Sequence, residues 1–517
     1  TDRSNRNAMN YLVTDNTSGS LALAEIPEIA YADFYDLLCG WLADERCHVA
    51  HYFALPAGDR MRFYCLVLDD AEGRVLITSH ATGYYDETAL PSLTARHPQL
   101  HPFEREIAER WGIRFDGQPW PKPLRFPFDR YDRQSSIDNY PFYTMAGGSL
   151  HEVNVGPIHA GIIEPGAFRF ICNGEQVLHL EIALGYQHRG VEAAFTATEN
   201  RLRQMCLAEA VAGDSAVAHA TAFAEAIEKL TGRERPAQLD RERVVALELE
   251  RMAMQIADTG ALSMDTGYQL GQVACEALRT MTINTTQAWC GNRFGKGLIR
   301  PHGTDHALTP EKSAMIRRNV AEIARRYDEV RRDIESSPSL LARFEQCGVV
   351  PRDEMRRIGG VGQAARASGL GRDIRATHPW GSFGKCLSHE SIVEEAGDVM
   401  ARLTVRSREV AQSARHIDRL LEIYEQKYGK LENPCGRPDY TSQLAPSSLS
   451  FGLVEGWRGE TCHVVITDAE GRLTACRIKD PSLHNWLALA LAVRGEGISD
   501  FPICNKSFNL SYCGHDL

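Results

Sequence analysis

Residues 185–232 read GYQHRGVEAAFTATENRLRQMCLAEAVAGDSAVAHATAFAEAIEKLTG. The stretch opens with a His188-Arg189-Gly190-Val191-Glu192 turn, continues as a long helical segment, and breaks at Ala212-Gly213-Asp214-Ser215. A second helix follows. Val217, Ala220, Phe223, Ala224 and Ile227 share one of its faces, and Gly232 can end it in a left-handed turn. A helix start buried between two helices can aim side chains at a bound group, yet this one carries no obvious metal ligand.

The chain has 517 residues, too many for one ordinary core, so two or three domains are expected. Hydrophobic residues at 43% and charged residues at 24% describe a soluble globular protein. A net charge of −11 and a pI near 5.9 argue against a nucleic-acid surface and against docking on anionic lipid. No apolar run reaches the roughly 18–20 residues that span a bilayer. The best candidate, residues 486–493, fits a core segment, and the opening TDRSNRNAMN has no apolar signal core. Any membrane link is therefore expected to come through partners. The 14 cysteines form no C-x-x-C pair. Those inside apolar runs, such as Cys65 and Cys462, read as reduced core residues of a cytosolic protein.

Residues 1–118 read as a small α+β unit. HVAHYFAL, RFYCLVL and RVLITS are strand-like, Asp-Asp-Ala-Glu-Gly turns the last two into a hairpin, and HPFEREIAERWGIRF is a helix ending near Gly112. Residues 119–149, rich in Pro, Arg, Asp and aromatics, read as an extended linker. Residues 150–517 begin with strands around EVNVGPIHAGIIEPGAFRFICNGEQVLHLEIAL and continue mostly as helix. Ile316, Val320, Ile323, Tyr327, Val330 and Ile334 alternate spacings of four and three, a seam of about three heptads that predicts an internal bundle, with 394–429 as the antiparallel partner, over the competing coiled-coil dimer arm. A hairpin, CHVVITDAEGRLTACRIK, and a polar tail, NKSFNLSYCGHDL, complete the chain. Gly-rich stretches such as GNRFGKG lack the strand–turn–helix setting of a phosphate loop.

Several motifs occur in a specific order: Glu104-Arg105-Glu106 with Trp111-Gly112-Ile113, Gly156-Pro157-Ile158-His159, Gly185 to Glu192, Glu250-Arg251, Glu455 to Glu460, and Asp480-Pro481-Ser482. With them the first unit resembles the thirty-kilodalton subunit of respiratory complex I. The remainder resembles the forty-nine-kilodalton subunit and its relative, the large subunit of [NiFe] hydrogenases. The two fused in one chain are the pattern of formate hydrogenlyase and hydrogenase-4 large subunits. The resemblance implies an α+β fold: a small N-terminal α+β domain, then a mainly α-helical hydrogenase-like domain with small β elements.

Metal-bearing members of that family hold Ni and Fe with four thiolates from two C-x-x-C pairs, the soft ligands such a centre requires. The resemblance places the first pair at Ala212 and Ser215 and the second at Ser511 and Gly514, so all four thiolates are replaced, with Cys513 one residue out of register. It thus implies a degenerate member with no metal site. In complex I the equivalent cavity is the head of a quinone site. Here His159 matches the first histidine of that family's Gly-Pro-x-His loop, while Glu164-Pro165-Gly166-Ala167 occupies the region of the second.

The family match makes Glu192, Arg458 and His159 the candidate catalytic and proton-relay groups. Glu192 is alternatively an ion-pair partner of Arg189, and Arg458 a partner of Glu460. Asp214 and Ser215 are expected to cap the helix that carries His219. The competing reading is a polar cavity of Asp214, Ser215, His219 and Cys513 given over to proton handling. The expected function is a peripheral large subunit of a membrane-bound, complex-I-like oxidoreductase of the hydrogenase-4 or formate hydrogenlyase type. It would lie on the cytoplasmic side of a bacterial inner membrane and couple electron transfer to ion translocation. No cofactor bound directly by this chain is expected, with quinone as the acceptor the cavity would take and iron–sulfur clusters in partner subunits. The partners are a small iron–sulfur subunit near 185–232, further iron–sulfur subunits and integral-membrane ion-translocating subunits, with no nucleic acid. An inert scaffold is the alternative. An active hydrogenase ranks last, because serine, aspartate and one cysteine make too hard a ligand set.

Overall fold

The computed structural model describes residues 10–83, 89–125, 140–159 and 163–517. The middle of the expected linker, 126–139, lies outside the described residues, as do 160–162 of the expected strand region.

The N-terminal sheet is built on the antiparallel strands Cys47–Ala57, Arg60–Asp69 and Arg74–Gly83, with Leu12–Thr14 and Glu28–Ile29 both pairing with the last. Side chains of a strand alternate between its two faces. On Arg60–Asp69, Met61, Phe63, Cys65 and Val67 enter one core with Phe34, Leu38 and Phe103. Tyr64, Leu66 and Leu68 enter the main core of the molecule. Burial on both faces explains why RFYCLVL runs apolar without alternation. The helix His101–Trp111 ends at Gly112, whose φ of 73° is left-handed.

Four long helices, Ala237–Asp265, Gln269–Cys290, Pro310–Glu335 and Val399–Lys427, close into a bundle. The heptad seam of Pro310–Glu335 is buried at each expected position from Ile316 to Ile334. Its partner Val399–Lys427 runs antiparallel, since Ser313 donates to Glu425 at 3.1 Å while Tyr327 lies 3.1 Å from Ser407. A four-stranded sheet, ordered Leu473–Lys479, Glu460–Thr467, Ser448–Glu455 and Leu21–Ala22, backs the helix Ala216–Thr231. That helix and strand touch where Gly452 lacks a side chain, since a Cβ there would stand 2.0 Å from the Ala222 carbonyl oxygen. A three-stranded sheet of Leu150–Val155, Ala167–Asn173 and Gln176–Ala183 precedes the 185–232 stretch.

Two expectations are corrected. The long helical segment after Glu192 is two short helices, Val191–Thr196 and Arg201–Ala208. Asn200 breaks it by accepting a hydrogen bond from the Arg203 amide and so starting a new helix. The polar tail is not a surface tail. It forms the helices Phe501–Phe508 and Tyr512–Asp516, and Asp516 and Leu517 are buried. Its polar atoms are satisfied internally: the Asp516 carboxylate accepts the Gly185 amide at 2.9 Å and the Gln187 amide at 2.8 Å.

Candidate functional site

The turns 212–215 and 511–514 converge, and the geometry around them follows from arginine chemistry. A guanidinium offers five donors in a rigid fork, so one side chain can tie several carbonyls. Arg189 donates to the carbonyls of Ala210 at 2.7 Å, Val211 at 2.8 Å and Cys513 at 3.2 Å, clamping both turns at once. Its own amide donates to the Leu517 carbonyl at 2.8 Å. Arg189 therefore does not pair with Glu192.

Arg458 closes the opposite side. Its fork is bidentate on Asp214 at 2.7 and 2.6 Å, its Nη1 lies 3.3 Å from the Ser215 hydroxyl, and its Nε donates to the Asn509 carbonyl at 2.5 Å. The guanidinium lies 3.9 Å over the Trp457 ring, and the Trp457 indole donates to the Asp214 carbonyl at 2.9 Å. Arg458 is buried, while the Asp214 side chain is 36% exposed, so the pair has one wet edge. Burial works against the charge on Arg458, but Asp214 holds its guanidinium protonated more firmly than usual. The alternative Arg458–Glu460 pair does not form, because Glu460 accepts from Lys479 at 2.6 Å and contacts His48 at 2.7 Å.

The helix Ala216–Thr231 is capped by neither Asp214 nor Ser215, contrary to expectation. Glu250, from the helix Ala237–Asp265, accepts the amides of Val217 at 2.7 Å and Ala218 at 3.2 Å instead. The Asp214 carboxylate is drawn away by Arg458, so a buried carboxyl from a neighbouring helix meets the free N–H groups. Burial pushes the Glu250 carboxyl up to about 8, with the Asp214 charge adding to the shift. Asp258, further along the same helix, accepts the Asn509 side-chain amide at 2.5 Å, and burial lifts it to about 6.

His219 sits one layer below, fully buried, 3.1 Å from Asp480 and 3.0 Å from His463. Burial holds His463 well below its ordinary range. The Asp480 carboxyl, despite burial, is held low by His219. Cys513 lies 3.4 Å from the Ser511 hydroxyl, and burial pushes its thiol up to about 11. Ser511 caps the last helix through the Gly514 amide at 2.9 Å. A Cβ on Gly514 would stand 2.6 Å from Asp480 Oδ2 and 2.9 Å from Ser511 Oγ. Among the described residues no group of three or more His, Cys, Asp or Glu side chains is disposed to hold a metal ion.

The other two candidates lie apart. Glu192 accepts from Arg110 at 2.7 Å, from Arg477 at 2.5 Å and from the Ile478 amide at 3.0 Å. Burial pushes its carboxyl up, with Arg110 opposing. Arg110 reaches Glu106 at 3.4 Å, Glu106 pairs with Arg125 at 2.8 Å, and Arg125 donates to the His515 carbonyl at 2.8 Å. His159 lies 3.0 Å from the Gly166 carbonyl, and its ring stands 5.9 Å from Phe168, which in turn neighbours Tyr512. The structure thus brings together Asp214, Ser215, Arg458 and Cys513, sets His219 beneath them, flanks them with His159, and separates Glu192. Sequence reasoning missed the roles of Glu250, Asp258, Asn509 and His463. Only Glu250 had a signal, its place in the Glu250-Arg251 motif.

Residues 265–516 match the family described as respiratory-chain NADH dehydrogenase, 49 Kd subunit. The chain is 27% identical to formate hydrogenlyase subunit 5 of Escherichia coli over 523 aligned positions, covering 96% of this chain and 88% of that protein. It is 25% identical to hydrogenase-4 component G of the same organism, over 92% of this chain and 83% of that one. It is 26% identical to NADH-quinone oxidoreductase subunit 4 of Thermus thermophilus, over 67% of this chain and 89% of that one. Over nearly its whole length the chain is similar to the formate hydrogenlyase and hydrogenase-4 subunits, and over residues 265–516 to the 49-kDa subunit of respiratory-chain NADH dehydrogenase, a pattern that fits a complex-I-like oxidoreductase subunit.

Proposed function

We propose that this chain is the peripheral large subunit of a membrane-bound oxidoreductase of the hydrogenase-4 or formate hydrogenlyase type, and that it works without a Ni–Fe centre. One observation carries the reading. Where the family's four thiolates would stand, the converging turns present Ala212, Ser215, Ser511 and Gly514, and the space is spanned by the Arg458–Asp214 pair. A cysteine at 514 would collide with Asp480, and hydroxyls with one displaced thiol are too hard a donor set for Ni and Fe. The residues present do not fit the metal.

The chemistry left to the site is polar. Arg458 fixes a carboxylate at a wet edge, and if that carboxylate swings out to water the freed guanidinium fork can orient a quinoid oxygen in its place. On the flank of the second turn, His159 is the side chain this reading assigns to proton transfer. Electrons would come from an iron–sulfur subunit docked by the 185–232 stretch, with a quinone or another acceptor taking them, and membrane subunits would carry the ion. No described helix is long and apolar enough to cross a membrane, and in this reading the membrane subunits provide the attachment.

The test is metal and quinone analysis of the complex purified intact from its membrane. Absence of nickel with a stoichiometric quinone supports the proposal; stoichiometric nickel overturns it. A scaffold without catalysis is the second reading. It is favoured by Glu192, whose oxygens are taken up by two arginines and an amide. Turnover of the complex surviving Arg458→Ala would decide for the scaffold.

A further inference from the structure

Away from the converging turns, the sulfurs of Cys347 and Cys504 lie 3.8 Å apart. Cys347 stands in a turn between Phe344 and Val350 whose neighbours Glu345, Gln346 and Val349 are exposed. Cys504 is on the helix Phe501–Phe508 and fully buried, whereas Cys347 is 8% exposed. The turn is pressed onto the helix: Gly348 has a φ of 64°, and a Cβ there would stand 2.6 Å from the Cys504 sulfur. Two backbone ties hold it in place. Gln346 donates its amide to Asp398 at 2.8 Å, and Arg402 donates to the Gly348 carbonyl at 3.0 Å while its Nε reaches Ser507 at 2.8 Å.

We propose that Cys347 and Cys504 are a reversible dithiol–disulfide pair, an oxidation site for small hydroperoxides. Sulfurs in a disulfide are about 2.05 Å apart, so closure needs an approach of about 1.8 Å, within reach of side-chain rotation plus a small shift of the turn. Cys347 is the attacking sulfur. It is the one near solvent, and the contact with Cys504 lowers the Cys347 thiol while raising that of Cys504. Thiolate, not thiol, is the nucleophile. The Cys347 thiolate attacks the peroxide oxygen and the O–O bond breaks. One alcohol (water, from hydrogen peroxide) leaves and Cys347 becomes a sulfenic acid. Cys504 then attacks that sulfur, the S–O bond breaks and water leaves, so that the two thiols have lost two electrons and two protons to the peroxide. A dithiol reductant reverses the step by exchange.

The pair is coupled to the candidate site. Cys504 lies just over one helical turn before Asn509, whose carbonyl accepts from Arg458 and whose side chain donates to Asp258. The preceding carbonyls of Ser507 and Phe508 accept from Arg406. Drawing the Cys504 sulfur toward the turn strains this end of the helix, so oxidation is expected to be felt at Arg458.

The experiment uses the full chain, reduced, treated with hydrogen peroxide, then unfolded and alkylated for peptide mass spectrometry. The exposed Cys206 serves as the internal control for peroxide exposure. The expected result is a cross-linked pair of peptides carrying Cys347 and Cys504, reversed by dithiothreitol. In Cys504→Ser the expected product is a dimedone adduct on Cys347. The proposal is overturned if both cysteines stay alkylatable once Cys206 has been oxidised, or if Cys347 is found joined to a different cysteine. The wild-type cross-link needs no variant, so a failure of Cys504→Ser to fold leaves the test intact.

Discussion

Glu192 and Asp214 are both acidic residues meeting arginine, and they differ in what is left over. Glu192 is buried with its oxygens taken up by Arg110, Arg477 and the Ile478 amide, and it joins the helix His101–Trp111 to the strand Leu473–Lys479. Asp214 is held by one arginine and remains over a third exposed. A buried carboxylate with both oxygens engaged inside the protein behaves as a bolt, because moving it would strand buried charge. One with a wet edge can exchange partners at little cost. The first is architecture and the second is a site, although the family motif points to the first.

The sharpest break between them is Glu192→Ala. It takes the carboxylate from Arg477 and one of the carboxylates from Arg110, which keeps Glu106, and is expected to cost about 3–5 kcal/mol, read by chemical denaturation; a loss below about 1 kcal/mol would put Glu192 on the wrong side of the comparison. Arg458→Ala is next, at about 2–3 kcal/mol, at or below the buried-pair range because Asp214 can rehydrate. Its larger effect is expected on turnover of the assembled complex, where Glu192→Gln should cut activity only as far as it cuts assembly.

Glu250 sharpens the comparison through pH. The unfolded carboxyl releases its proton near 4.5, whereas the folded one holds it to about 8. A group whose folded pKa is raised in this way costs stability progressively as pH rises from about 4.5 to about 8, with no further change above. Glu250→Gln removes that loss. The Tm of the variant relative to wild type is therefore expected to be higher at pH 8 than at pH 5, and an unchanged difference would refute the buried, proton-holding cap. The smallest effect belongs to the exposed contrast: Arg325→Ala, which breaks pairs with Glu322 and Glu329 on an open helix face, should leave the denaturation midpoint unchanged within error, because solvent screens both pairs.

Much of the scaffold is legible in local pattern. The seam from Ile316 to Ile334, the hairpin turn at Asp70 to Gly73 and the left-handed stops at Gly112 and Gly232 follow from periodicity and turn chemistry, and each is present. What escapes is pairing at a distance. Asp214 looks like a cap by its place before a helix, but its partner Arg458 is 244 positions away and outcompetes the local amides. The tail reads as polar because composition does not reveal that Gly185, Gln187 and His188 meet Asp516. The break at Asn200 was readable in principle, since Thr198 and Asn200 both offer side-chain oxygens to nearby amides.

The short strand Leu21–Ala22 pairs with Ser448 and Leu449, and Asn16 beside it donates to the Leu453 carbonyl at 2.9 Å. These few residues from the start of the chain form the rim of a sheet made otherwise of residues near its end. Without them, the strand Ser448–Glu455 would lose its partner at Ser448 and Leu449 and the Asn16 contacts at Leu453, lengthening the kind of open margin that recruits foreign strands. The N-terminal ribbon is in this sense a selvedge. It finishes the margin of the sheet behind the converging turns, and a version of the protein lacking it is expected to aggregate more readily, read by light scattering.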